Sequence, residues 1–164
     1  MTIEIKYKNK LLKKSPYNLI LFVDNKFNVS NLKRHISSAE YSFINDLIKT
    51  KDLKNKIISF DLSSKKKIIL VSFKEDIKNF EIENLGAEFY DIFKDHKISE
   101  YILNSETLPS KFKNKAGYFL HGLKLKSYIF EKYKSKKNKK KFLLTVTGKN
   151  IPSINEQIKF KAIE

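Results

Sequence analysis

Cysteine is absent from the chain, which excludes disulfides, zinc fingers, iron–sulfur ligation and thiol nucleophiles together. The four glycines, at 86, 117, 122 and 148, are too few and too scattered to form a Gly-rich phosphate loop. Arg34 is the only arginine among 34 basic residues. No apolar run approaches the roughly 20 residues needed to cross a bilayer, so no membrane partner is expected. The N-terminal stretch M-T-I-E-I-K-Y-K-N-K alternates apolar and charged residues and lacks the apolar core of a signal peptide. Together these absences lead to the expectation of a soluble, intracellular protein, and the lack of cysteine fits a reducing cytoplasm.

What the chain does contain is a usable core. Its 164 residues suit one domain, and a domain of this size buries roughly 70% of the surface its unfolded chain exposes. A hydrophobic content of 41%, with 13% aromatic residues, argues against global disorder. The net charge of +16 points toward nucleic acid or an anionic surface. Against that, 33 of the cations are lysines, whereas bidentate contacts to phosphates and guanine edges favour arginine. Abundant Lys, Asn, Ile and Phe also fit a genome dominated by A/T-rich codons, which would leave most lysines on a solvated surface. Both readings of the charge stay open.

Periodicity places the elements. Thr2 to Tyr7 alternates Ile3, Ile5 and Tyr7 with polar residues, as a half-buried or edge strand does. Lys8 to Pro16 reads as a turn, and the near-continuous apolar run Tyr17 to Asp24 suits a central strand covered on both faces. Ser37 or Ser38 caps a helix from Ser38 to about Lys49, with Tyr41, Ile44 and Ile48 on one face and Phe43 and Leu47 beside it. Lys56 to Leu62 and Lys67 to Phe73 form an antiparallel hairpin. Asn79 to Lys97 is a helix whose stripe is Leu85, Phe89, Ile92, Phe93 and His96. A strand at Ser99 to Leu103 follows, and Pro109 opens a linker or first helical turn. The main helix then runs from about Lys111 to Tyr133, with Ala116, Phe119, Leu120, Leu123 and Phe130 on one face. Phe142 to Thr147 is the last strand, Gly148 to Pro152 breaks it, and Asn155 to Ile163 starts another helix. This alternation predicts a three-layer α/β/α domain around a mixed sheet. No internal repeat is present, and Lys132 to Lys141 is the one low-complexity piece.

From Asn84 onward the order of motifs is specific. N-L-G-A-E-F-Y-D-I-F-K-D-H-K is a helix with Gly86 and Ala87 near its start, and I-S-E-Y-I-L is the strand after it. A-G-Y-F-L-H-G-L-K-L-K-S-Y-I-F-E-K-Y-K-S-K-K is a helix running through Gly122 and a Tyr-x-Phe-x-x-Tyr pattern into lysines. I-N-E-Q-I-K-F-K-A-I-E closes the chain. This succession resembles the N-terminal domain of the leucyl (cytosol) aminopeptidase family, peptidase family M17. Its members are hexameric two-metal exopeptidases that remove N-terminal amino acids from peptides. Before Asn84 the likeness lies in the order of elements.

The resemblance implies a macro-domain-like fold and a non-catalytic role in assembly or regulation. Residues 1–150 would form that domain, and residues 151–164 would begin the helix leading to a catalytic half lying beyond Glu164. The implied partners are that catalytic domain and the other subunits of the hexamer; some bacterial relatives also bind DNA. Tyr128 and Phe130 would fill space between helix and sheet, while Lys134, Lys136 and Lys137 would face solvent. The family's Asn-Thr-Asp-Ala-Glu-Gly-Arg metal signature is absent, as are the lysine and aspartates around its metals. No catalytic, cofactor-binding or metal-binding residue is therefore assigned to this chain. The two divalent ions, zinc or manganese, are expected in the catalytic domain.

The residues themselves offer few rival sites. Asp and Glu are scattered singly, mostly beside lysines, rather than converging as two-metal hydrolysis requires. His35, His96 and His121 share no ligand spacing, and Ser72 and Ser127 lack a nucleophile elbow. A macro-like fold suggests nucleotide or ADP-ribose binding, but glycine-poor loops disfavour the close backbone approach a diphosphate needs. The best nucleic-acid candidate is the tract containing Lys132, Lys134, Lys136, Lys137, Lys139 and Lys140, with Tyr128, Phe130 and Tyr133 adjacent. The bland alternative for it is a solvated loop joining helix to strand. A stand-alone assembly domain, associating through an apolar face, is a third reading.

Overall fold

The computed structural model describes residues 2–9, 17–96, 100–128 and 141–161. In chain order the strands are β1 (Thr2–Lys8), β2 (Asn18–Asp24), β3 (Ile57–Ser63), β4 (Lys66–Phe73), β5 (Glu100–Asn104) and β6 (Lys141–Thr147). The α-helices are α1 (Ser38–Ile48), α2 (Asn79–Phe93), α3 (Lys115–Ser127) and α4 (Ile154–Lys161), with short 3-10 turns at Ser30–Arg34, Ser105–Thr107 and Ser110–Phe112. One six-stranded sheet has the order β1-β6-β5-β2-β4-β3. All neighbours are parallel except β3 and β4, the hairpin read from the sequence.

The apolar run of β2 is explained by its position between β4 and β5, covered on both faces. Ile20 and Phe22 enter the core under α2 and α3, while Leu19, Leu21 and Val23 enter the opposite core under α1. Two helical layers thus sandwich a mixed sheet, the predicted three-layer α/β/α arrangement. The larger core is aromatic: Phe89 meets Phe119 edge-on at 5.7 Å, and Tyr101 stacks on Phe142 at 4.6 Å. β1 is an edge strand, paired only with β6 among the described strands, and Ile3 and Ile5 are half-buried, as the alternation requires.

Helix boundaries follow local chemistry more than periodicity. Ser37 is the N-cap of α1: its hydroxyl accepts from the Glu40 N–H, and the Glu40 carboxylate accepts from the Ser37 N–H. α2 stops at Phe93, short of the predicted Lys97, and His96 lies beyond it with its ring 5.1 Å from Phe93. Leu85, Phe89 and Phe93 are buried as read, joined by Ile82, Gly86 and Tyr90, but Ile92 is 44% exposed. At about 100° per residue Ile92 falls outside the arc running from Leu85 to Tyr90. α3 starts at Lys115 instead of Lys111, because the chain after Pro109 first makes a 3-10 turn that buries Phe112 edge-on against Phe73. Ala116, Phe119, Leu120 and Leu123 are all buried on one face. α3 ends at Ser127, and Tyr128, leaving helical geometry as the C-cap, is 71% exposed rather than packed under the sheet. Phe130 and most of the turn at Lys8 to Pro16 lie outside the described residues.

α2 and α3 touch backbone to backbone. A Cβ on Gly86 would overlap the Phe119 carbonyl oxygen, and one on Gly122 would overlap the Glu83 carbonyl oxygen. α4 packs on α3 through Phe160, whose ring meets Tyr118 at 5.3 Å and His121 at 4.9 Å.

Candidate functional site

In an open α/β sheet, ligands bind outside the carboxyl ends of strands whose connections leave on opposite faces. β2 and β5 are such a pair: they are parallel neighbours, β2 leads to α1 on one face, and β5 leads to α3 on the other. The diverging loops leave a crevice of about 400 Å³ lined by Asn31, Arg34, His35, Glu106, Thr107 and Pro109. A smaller hollow of about 200 Å³ continues it toward β4, past Asp24, Asn28, Phe73 and Glu75.

Short polar side chains hold both lips. After β2, Asp24 Oδ1 accepts from the N–H groups of Lys26 (3.0 Å) and Asn28 (2.9 Å), closing a tight turn. Within it Phe27 adopts φ 54 with its ring buried, a left-handed conformation uncommon outside glycine and asparagine. Leu32, 1% exposed, anchors the following 3-10 turn and leaves Arg34 and His35 at the rim. After β5, Thr107 Oγ1 accepts from Phe22 N–H at 2.9 Å and donates to the Asn104 carbonyl at 2.8 Å, tying the second lip to β2. Asn104 Oδ1 accepts from Glu106 N–H at 3.0 Å. The loop after β6 joins from behind: Ser105 donates to the Thr147 carbonyl at 2.7 Å, and Asn150 donates to the Ser105 and Leu108 carbonyls. Gly148, with φ 104, sits where any side chain would meet Glu106 and Ser105.

His35 bridges the two lips, its Nδ1 3.2 Å from Asn104 Nδ2. An amide nitrogen is a donor, so Nδ1 is the acceptor and the neutral ring carries its proton on Nε2. Burial lowers the His35 pKa below its ordinary 6.5; the Glu106 charge opposes this and the Arg34 charge adds to it. Arg34 and Glu106 line the same crevice, yet neither forms an ion pair with any described residue.

The other sequence candidates fare differently. Lys132, Lys134, Lys136, Lys137, Lys139 and Lys140 all lie outside the described residues. His121 is buried on α3, its Nδ1 2.9 Å from Glu83 Oε1 on α2, and its Nε2 has no hydrogen-bond partner among the described residues. The three histidines are not brought together, and no group of three or more His, Cys, Asp or Glu is placed to hold a metal ion among the described residues. The crevice was missed in the sequence because strand order is not written in periodicity. Its one local signal was Arg34, the single arginine.

No family model and no curated protein matches the sequence. Solved structures do match in fold. A tomato leucine aminopeptidase carrying a point substitution is similar over 98% of this chain at a TM-score of 0.64 and 16% identity. The macrodomain of Thermus aquaticus DarG is similar over 90% of this chain and 99% of its own length, at a TM-score of 0.55 and 8% identity. This chain spans 35% of the aminopeptidase, so it has the fold of about a third of that enzyme and of a whole macrodomain.

Proposed function

We propose that the chain is the N-terminal, non-catalytic domain of a leucyl-aminopeptidase-like two-metal exopeptidase, contributing to assembly or regulation rather than to bond cleavage. The observation that carries this reading is the likeness of 98% of the chain to part of a leucine aminopeptidase. The motif that resembles the family supports it, because Gly86 and Gly122 are the residues where α2 and α3 meet without room for a Cβ. Nearly all of the chain also fits a macrodomain, but its loops lack the glycines with which a backbone cradle closes on a diphosphate. Hydrolysis of peptides by two divalent ions, zinc or manganese, would belong to the catalytic half, and hexamer contacts would involve the whole protein. Incubated with a leucyl anilide and manganese, the chain by itself is expected to give no turnover. Metal-dependent cleavage by this chain would overturn the assignment.

A second reading rests on the charge of +16 and the lysine tract. A nucleic-acid-binding role predicts affinity that falls steeply with salt, the log–log slope tracking the phosphates contacted. Reversing the charges of Lys136, Lys137, Lys139 and Lys140 together would abolish it; unchanged affinity in that variant removes the tract as a site.

A further inference from the structure

We infer that the crevice at the carboxyl ends of β2 and β5 is a binding site for a small zwitterion of the α-amino-acid class, with Arg34 receiving the carboxylate and Glu106 the ammonium. The inference stands on the geometry of this chain and does not depend on the exopeptidase reading; either can fail without the other.

The charges themselves are the first argument. Two opposite charges lining one concavity gain energy by pairing unless the backbone holds them apart. Here Arg34 ends the 3-10 turn after β2, which the His35 N–H closes on the Leu32 carbonyl, and Glu106 lies in the turn after β5, whose backbone is held by Asn104 and Thr107. They line the same crevice of about 400 Å³ yet form no ion pair with each other. Such a pair, held open, complements a molecule that carries both charges, and it is a poor match for a simple anion, which Glu106 would repel. His35 lies within electrostatic reach of both groups and is held as the neutral tautomer by Asn104. It adds no charge to upset the balance at neutral pH.

Residue choice is the second argument. Every other one of the 34 Lys and Arg residues is lysine, and the single exception lines this crevice. A guanidinium differs from an ammonium mainly in its planar fork, which meets a carboxylate through two parallel hydrogen bonds. Position is the third argument, since the crevice occupies the place where open α/β sheets bind ligands, and its volume falls within the range of small-molecule sites. Larger anions are disfavoured: among the described loops at this end of the sheet the sole glycine is Gly148, and its space is filled by Glu106 and Ser105. Recognition therefore falls to side-chain charges rather than to a backbone cradle.

The test is a titration of the isotopically labelled chain, followed by amide resonances, with free L-leucine as the probe. Saturable shifts at Arg34, His35, Glu106 and Thr107 are expected. N-acetyl-L-leucine, which lacks the ammonium, and L-leucinamide, which lacks the carboxylate, should each bind about tenfold more weakly or worse. Arg34→Gln and Glu106→Gln should each cause a similar loss while leaving the core resonances in place, since neither residue belongs to the core. The dipeptide leucyl-glycine carries both charges on separate residues and should bind more weakly than leucine. Equal binding of N-acetyl-L-leucine or inorganic phosphate would make this a plain anion site and overturn the inference. So would tighter binding of the dipeptide, unchanged affinity in both variants, or no saturable shift with leucine.

Discussion

Ser37 and Glu40 satisfy one another across the first turn of α1, and Glu40 also meets Lys66 of β4 at 2.6 Å, with both side chains about one-fifth exposed. Ser37→Ala should lower stability by about 1 kcal/mol in urea denaturation, the usual cost of a lost N-cap. Burial alone would raise the Glu40 carboxyl, but hydrogen bonds from Lys66 and Ser37 and the charge of Lys66 outweigh it and hold the pKa below its ordinary value. A depressed carboxylate contributes stability above the unfolded value, near 4.5, and loses it as pH falls through the lower folded value. Glu40→Gln should therefore be less stable than the parent at neutral pH, with the gap narrowing as the pH falls below about 4.5. A stability gap that stays constant as the pH falls would exclude this linkage. His35 acts with the same sign at higher pH: burial lowers its pKa, so the unfolded chain takes up the proton first and folding loses stability as pH drops below about 6.5. Because the Glu106 charge raises the His35 pKa, Glu106→Gln should shift the histidine's NMR titration to lower pH, whereas an upward shift would contradict the placement of Glu106.

Among the elements, the α2–α3 pair is the most exacting. Alanine in place of Gly122 would gain about 1 kcal/mol of helix propensity, but its methyl would overlap the Glu83 carbonyl oxygen, which cannot move without parting the helices. Overpacking of this kind costs about 1–3 kcal/mol, so Gly122→Ala should lower the urea midpoint; a raised midpoint would refute the close approach. α4 shows the contrasting case, with Phe160 facing α3 while Ile154 and Ile158 are 74% and 57% exposed. Changing both isoleucines to serine should leave the stability of this chain within about 0.5 kcal/mol, as surface substitutions do. The sequence made the strands legible, because Tyr17 to Asp24 and Lys67 to Phe73 are apolar in the way central strands must be. It made helix faces legible where several large residues agreed, as at Leu85, Phe89 and Phe93. It misplaced Ile92 and Tyr128, whose apolarity says nothing about which side of an arc or which end of a helix they occupy. The start of α3 was obscured by the 3-10 turn that buries Phe112, a packing event with no local signature.

On the scale of the whole molecule, a mixed sheet between two helical layers accounts for the core, and the switch between β2 and β5 accounts for the crevice. Strand order brings Arg34 and Glu106, 72 residues apart in the numbering, to one concavity, and no pattern along the chain reports that juxtaposition. The motif around Gly122 was legible as a resemblance; its physical content, two backbones in contact, became visible only in three dimensions. The central claim concerns the protein from which this fold takes its role. Its most direct test is to capture the endogenous protein with an antibody raised against this chain, weigh it, and assay it for manganese-dependent cleavage of a leucyl anilide. The account predicts a polypeptide about three times the 19.3 kDa of this chain, active with metal, of which this part alone is inert. A 19.3 kDa polypeptide without activity, or a longer one that cleaves no aminoacyl substrate, would contradict it.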